Sequence, residues 1–204
     1  MRTIDLTHTF DDGMPVYPGD PASHLSQIAT IEKDGFTDHI LETGLHVGTH
    51  MEAPLHMIEG GKYLSDIPPE RFTGRGRLIN AVGRSEIGAE LLDGIEIGAG
   101  DIVLVMTGHA AKFRGDDYYT SFPELTEGFA QRLTASGVSI VGMDTPSPDS
   151  PPFAVHKILL GGNVLIIENL TNLEALEGVD NFTVTALPMK LHADAAPVRV
   201  IATL

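Results

Sequence analysis

A chain of 204 residues with 42% hydrophobic content, 22 glycines and 13 prolines is long enough for one compact domain with a real core and many turns. Its formal charge of -15 argues against nucleic-acid binding, which depends on Lys and Arg neutralising phosphates, and disfavours anionic substrates unless a metal or a local arginine offsets it. The absence of cysteine excludes disulfides, thiolate metal ligands and a thiol nucleophile, which leaves His, Asp and Glu as metal ligands. No apolar run reaches about 18 residues and no apolar stretch follows Met1-Arg2-Thr3-Ile4-Asp5, so a soluble, cytoplasmic protein is expected.

In chain order, Ile4 to Thr9 alternates apolar and polar and reads as an opening strand, turned at Asp11-Asp12-Gly13. Met14 to Asp20 is a loop stiffened by two prolines, with Tyr17 just before Pro18-Gly19-Asp20. Ser23 to Ile31 and Phe36 to Leu45 read as strands about the turn Lys33-Asp34-Gly35. The second strand runs into L-H-V-G-T-H-M-E-A-P-L-H-M, residues 45–57.

Within that run His46, His50, Glu52 and His56 all occupy even positions. In an extended strand alternate side chains share a face, so His46, His50 and Glu52 would form a cluster of metal-ligand type, suited to zinc, manganese or iron. Pro54 argues against a helix continuing to His56, and Gly48 with the β-branched Val47 and Thr49 argues against a helical His46/His50 pair. Gly48 would leave room for an ion between its neighbours.

Beyond it, Gly60-Gly61 and Pro68-Pro69 make residues 57–76 a loop that could act as a lid. Arg77 to Val82 reads as a strand, Glu86 to Leu92 as a short helix, and Asp101 to Thr107 as a strand buried on both faces. Phe122 to Ala135 has helical spacing closed by Gly137, and Val138 to Met143 is a further buried strand. Strand, helix, strand with short links implies a crossover in a mixed sheet, hence an α/β fold. Asp144 then opens the proline-rich loop and reads as its cap, or alternatively as the group that orders a ligand histidine. The strand Asn163 to Ile167 ends in Glu168, an odd core residue because a buried carboxylate is costly unless paired or coordinated. Phe182 to Leu187 and Val198 to Leu204 read as closing strands, and His8, His24, His39, His109 and His192 belong to no evident constellation.

The run H-x-G-T-H-x-E-x-P-x-H resembles the signature of the cyclase family of metal-dependent hydrolases, whose best-known members are bacterial kynurenine formamidases and isatin hydrolases. The opening I-D-L-T-H…P-V-Y-P-G-D, the downstream D-x-x-S…H-x-x-L-L…I-x-E-N-L and the closing A-D-A-A-P-V-R are similar to the same family, so the resemblance spans nearly the whole chain. It implies a single swivelling β/β/α domain with a partly barrel-like sheet and flanking helices. It further implies His46, His50, Glu52, His156 and Glu168 as ligands of one or two divalent ions, zinc foremost and manganese as the alternative. His56 becomes the catalytic acid/base, Tyr17 a substrate contact, and a homodimer or homotetramer the assembly.

Two positions depart from the family pattern. Glu52 stands where aspartate usually bridges two metals, which leaves its bridging role open, and Tyr17 stands where formamidases commonly carry tryptophan. The implied reaction is hydrolysis of an amide or cyclic amide of a small molecule by metal-activated water. A lactone or cyclic-imide hydrolase, or a binding protein without turnover, would use the same residues. Neither a G-x-S-x-G elbow nor a P-loop offers a competing chemistry.

Overall fold

The computed structural model describes residues 1–204. In chain order the strands are β1 Thr3–Asp5, β2 His24–Ala29, β3 Asp38–Glu42, β4 His50–Glu52, β5 Thr73–Asn80, β6 Glu86–Ile87, β7 Ile102–Met106, β8 Glu124–Leu125, β9 Ile140–Met143, β10 Leu165–Glu168, β11 Thr183–Pro188 and β12 Ala195–Thr203. The helices are α1 Ile31–Asp34, α2 Glu127–Ala135 and α3 Ala154–Gly161. The main sheet runs β1-β12-β11-β5-β7-β9-β10-β4, and β4 pairs back onto β12. That last pairing closes the seven strands from β12 to β4 into a ring, with β1 as an outlying strand on β12. The sheet is mixed: β5, β7, β9 and β10 are parallel, and the remaining pairs are antiparallel.

The two-residue period of a strand divides the core in two. On β7, Ile102, Leu104 and Met106 point into the ring, while Val103 and Val105 join the outer layer with Phe129 and Leu133 of α2 and Leu159 of α3. The same parity governs the strands that carry the site. Met51 of β4 and Ile167 of β10 face inward, so their neighbours His50, Glu52 and Glu168 face outward with Ile166. The antiparallel register sets Glu52 opposite Ile166 and His50 opposite Glu168. The outer face of β10 is the one against which α3 packs.

Several local expectations are revised. The opening strand is three residues long, and Thr7 contributes only a bridge to Leu170. Glu86 to Leu92 is a two-residue strand and a 3-10 turn rather than a helix, because Glu86 and Ile87 pair with Glu124 and Leu125. For the same reason α2 begins only at Glu127, where the Thr126 side chain accepts from the Phe129 amide. Of the loop expected over residues 57–76, 73–76 already belong to β5, and Leu64, Ile67 and Phe72 are buried in the inner core and anchor the rest, unlike a free lid. The anticipated turn at Lys33-Asp34-Gly35 is the end of α1, closed by Gly35 in the left-handed region.

Candidate active site

Four elements deliver the polar groups. Strand β4 supplies His50 and Glu52, and the 3-10 turn Pro54–His56 supplies His56. Helix α3 brings His156, and β10 ends in Glu168. His46 is not on the strand with its neighbours, which corrects the single-face reading. It precedes the strand in a bend, and the chain reverses at Gly48, where φ is +63°. This is the glycine's role in place of making room for an ion: a Cβ at Gly48 would come within 2.6 Å of the Met14 methyl.

The side chains nevertheless converge. His46 Nδ1 lies 3.0 Å from Glu52 Oε1, and His50 Nε2 and His56 Nε2 are each 3.6 Å from that oxygen. The other Glu52 oxygen is 3.6 Å from His156 Nε2. Glu168 closes the far side, 3.3 Å from His50 Nε2 and 3.5 Å from His156 Nε2. Two triads capable of holding a cation result, His46/Glu52/His56 and His50/Glu52/Glu168, and Glu52 belongs to both.

His50, Glu52, His156 and Glu168 are almost fully buried, and His50 Nε2 and Glu52 Oε2 have no hydrogen-bond partner. Two orphaned ligand-type atoms, buried beside a second carboxylate, are what a divalent cation would satisfy, so these residues fit a metal. The electrostatics agree. Burial opposes the charge on Glu52, yet the surrounding histidines hold its carboxyl well below the usual range. Burial and the neighbouring Glu52 charge push Glu168 up. His46 is lowered by burial but carried to about 9 by Glu52 and Asp194. His156 is similarly carried to about 10 by Asp149, Glu168 and Glu52.

Sequence reasoning missed two acids. Asp194 Oδ2 lies 2.9 Å from His46 Nε2 and 3.1 Å from His56 Nδ1, so it accepts from both rings and leaves His56 Nε2 toward Glu52. It sits in the A-D-A-A-P-V-R segment immediately before β12, where only the register of β12 on β4 reveals its place. Asp149 accepts from His156 Nδ1 with one oxygen and from the Val155 amide with the other, at 2.7 Å. Asp149, and not Asp144, therefore orders the histidine of α3. Asp144 neither caps the proline-rich loop nor orders a ligand histidine: it accepts from Thr107 N, Thr107 Oγ1 and Gly108 N at 2.7 to 2.8 Å, in the loop after β7.

The open side of the cluster is a cavity of about 290 Å³, near the lower end of small-molecule sites at roughly 300–1,000 Å³. His46, Glu52, His56, His156 and Glu168 form its polar floor, while Tyr17, Met57, Tyr119 and Phe153 contribute apolar walls. Tyr17 meets Tyr119 edge-on, with ring centroids 5.7 Å apart. The five remaining histidines lie apart from the site's polar floor. His109 bonds the Tyr118 carbonyl, His8 stacks on Phe113, His192 stacks on Tyr63, and His24 and His39 are exposed on the β2–β3 hairpin.

The chain is similar to known proteins over nearly its whole length. A kynurenine formamidase from Paracidovorax citrulli is 32% identical over 205 residues, covering 97% of this chain and 94% of the relative. The structure of isatin hydrolase A from Labrenzia aggregata superposes with a TM-score of 0.88 at 26% identity, covering 98% of this chain and 93% of that one. A structure described as a potential metal-dependent hydrolase with cyclase activity gives a TM-score of 0.81 at 28% identity, covering 98% and 96%. The family model described as "Putative cyclase" matches residues 4–150. With most of its length matched by that model and the same closed sheet as its structural neighbours, the chain belongs to the cyclase family.

Proposed function

We propose that the chain is a metal-dependent hydrolase that cleaves the C–N bond of a small arylformamide-type or cyclic amide. The observation that carries this reading is the pair of buried, unpartnered atoms His50 Nε2 and Glu52 Oε2, set beside Glu168, with both carboxylates lining an aromatic-walled cavity. Relatives named kynurenine formamidase and a neighbour named isatin hydrolase support the amide class. His46, His50, Glu52, His156 and Glu168 would hold one or two divalent ions, zinc foremost and manganese as the alternative. Such an ion supplies Lewis acidity toward the carbonyl and brings the pKa of water toward neutrality.

The chain's own groups do the rest. His56, its Nδ1 hydrogen donated to Asp194, presents Nε2 to the cavity side and takes a proton from the attacking water. As the C–N bond breaks, the same nitrogen returns that proton to the leaving amine. The products are an amine and a carboxylate, joined in one molecule when the amide was cyclic. Tyr17 with Tyr119 and Phe153 forms an aromatic wall against which an aryl ring can pack. His56→Ala should lose about 10²–10⁴-fold in turnover of an aryl formamide or isatin, and its metal content tells proton transfer (content kept) from ligation within the His46/Glu52/His56 triad (content lost). Full activity in that variant would refute the assignment. Turnover of lactones, with no turnover of either amide, would move the substrate class.

A homo-oligomer is part of the same reading. The β2–β3 hairpin and α1 bury only Ala29, and Ile28, Ile31, Phe36, Ile40 and Leu41 are 48% to 73% exposed. A lone two-stranded hairpin is marginal in water. Five large apolar side chains exposed together on one hairpin and its helix make the contiguous kind of patch that marks a protein–protein contact. A second copy of this chain is the occupant that this surface fits. Light scattering should give a dimer or tetramer, and Ile40→Glu should shift it toward monomer; a wild-type monomer at micromolar concentration would overturn it.

A further inference from the structure

The Gly48 carbonyl is the acceptor of His50 Nδ1, at 2.9 Å. A neutral imidazole carries one N–H, and the nitrogen that keeps it is decided by the partner available to each side. An acceptor on Nδ1 keeps a hydrogen on that side and turns Nε2 toward Glu52 and Glu168. The Gly48 carbonyl belongs to a turn with positive φ and lies outside the sheet ladder, so strand pairing does not set its direction.

A second donor does. Asn169 Nδ2 donates to the Gly48 oxygen at 3.0 Å, and Asn169 Oδ1 accepts from the Tyr118 hydroxyl at 2.7 Å. The amide has only one workable orientation here. A carbonyl oxygen can only accept, so the nitrogen of Asn169 must face Gly48, its oxygen must face Tyr118, and the phenol must donate. Both residues are buried, and Asn169 is locked at its backbone as well. Its amide donates to Thr145 O at 3.0 Å and its carbonyl accepts from Thr49 Oγ1 at 2.6 Å. The Tyr118 ring stacks on His109 and meets Phe113 and Tyr119 edge-on. Burial keeps its hydroxyl protonated, and hence a donor.

We propose that Asn169, oriented by Tyr118, is a positioning residue for His50: by pinning the Gly48 carbonyl it holds the His50 Nδ1 hydrogen and sets the ring with Nε2 aimed between Glu52 and Glu168. The loop after β7 thereby controls a ligand on β4 that it never touches. This rests on the metal reading for its purpose but not for its geometry, and the test separates the two.

The first measurement is the exchange protection of the His50 Nδ1 hydrogen in metal-free protein, assigned by long-range proton–nitrogen correlation of ¹⁵N-histidine samples. The wild type should show that hydrogen present and slow to exchange. Asn169→Asp keeps the size and the tolerance of a left-handed backbone, but it has no donor for Gly48. It should speed exchange of the Nδ1 hydrogen and weaken zinc binding about 10–100-fold, the usual effect of losing an outer hydrogen-bond partner of a ligand. Tyr118→Phe leaves Nδ2 in place and frees only the far end of the amide, so it should move both readouts the same way by less. Should Asn169→Asp fail to fold, Asn169→Gly suits φ +57° at that position and also removes the donor. Folded variants with wild-type protection of the Nδ1 hydrogen and wild-type zinc affinity would overturn the proposal. A wild type that takes up no zinc or manganese would sink the metal reading alone, and the exchange of the Nδ1 hydrogen would still decide the positioning role.

Discussion

Asp149→Asn isolates the effect of a single carboxylate on the proposed metal centre. In the wild type one oxygen takes the His156 Nδ1 hydrogen and the other the Val155 amide hydrogen at the start of α3. Asparagine can satisfy only one of them. If its oxygen stays on Val155, its NH₂ faces Nδ1, which must then accept; the ring proton moves to Nε2 and His156 no longer offers a lone pair toward Glu52 and Glu168. If the amide flips, Nδ1–H is kept, but a donor meets the Val155 donor and the helix loses a cap worth about 1 kcal/mol. Either way a charge-assisted bond of ~1.5–3 kcal/mol becomes at best a neutral one of ~0.5–1.5 kcal/mol. The loss of about 1–2 kcal/mol in metal-free stability corresponds to a melting point lower by roughly 2–8 °C for a chain of this size. Zinc affinity should fall about 10–100-fold, or ~1.4–2.7 kcal/mol. Competition titration against a chromophoric chelator reads the affinity, and a thermal melt of the apo-protein reads the stability. Asp144→Asn is the control, since that acid caps Thr107 and Gly108 away from the cluster and should lower stability without touching affinity. Wild-type zinc affinity in Asp149→Asn, or equal losses in both variants, would refute the reasoning.

Glu52→Gln removes the one charge common to both triads, so metal content measured by elemental mass spectrometry should fall for every ion the wild type holds; a variant with undiminished content would show that Glu52 is dispensable. Gly48→Ala places a side chain at φ +63° against Met14, and should cost about 1–2 kcal/mol by denaturant unfolding, with weaker metal binding because the carbonyl that holds His50 shifts. Asp101 is buried, which opposes its charge, but Arg75 grips it at 3.0 and 2.8 Å and, with the Gly98 amide, holds its carboxyl below the ordinary range. A depressed folded pKa contributes stability that is present above the unfolded value of about 3.9 and is lost as pH falls through the folded one. The stability gap between wild type and Asp101→Asn should therefore shrink from pH 5 to pH 2.5 in urea melts, and a gap that is unchanged or widens would contradict the pairing.

What the sequence determined by itself was chemistry and periodicity. With no cysteine, a run of three histidines and a glutamate restricted metal ligation to nitrogen and carboxylate oxygen, and Glu168 at the end of an apolar strand was conspicuous because burying such a group is costly. The continuous apolar run of Asp101 to Thr107 and the helical spacing of Phe129, Ala130 and Leu133 were enough for a mixed α/β sheet. Short elements were less legible, since β6 and β8 exist only by pairing with each other and Ala154 to Gly161 is helical where no helix was read. Only the tertiary structure decided which acids serve which histidines. Asp149 outranks Asp144 because it alone reaches both Val155 N and His156 Nδ1, and Asp194 joins the cluster because β12 closes the ring against β4, 148 residues from His46. Asn169 and Tyr118 were silent for the same reason. A hydrogen bond is specified by direction and distance, and those are properties of the closed sheet that local pattern does not encode.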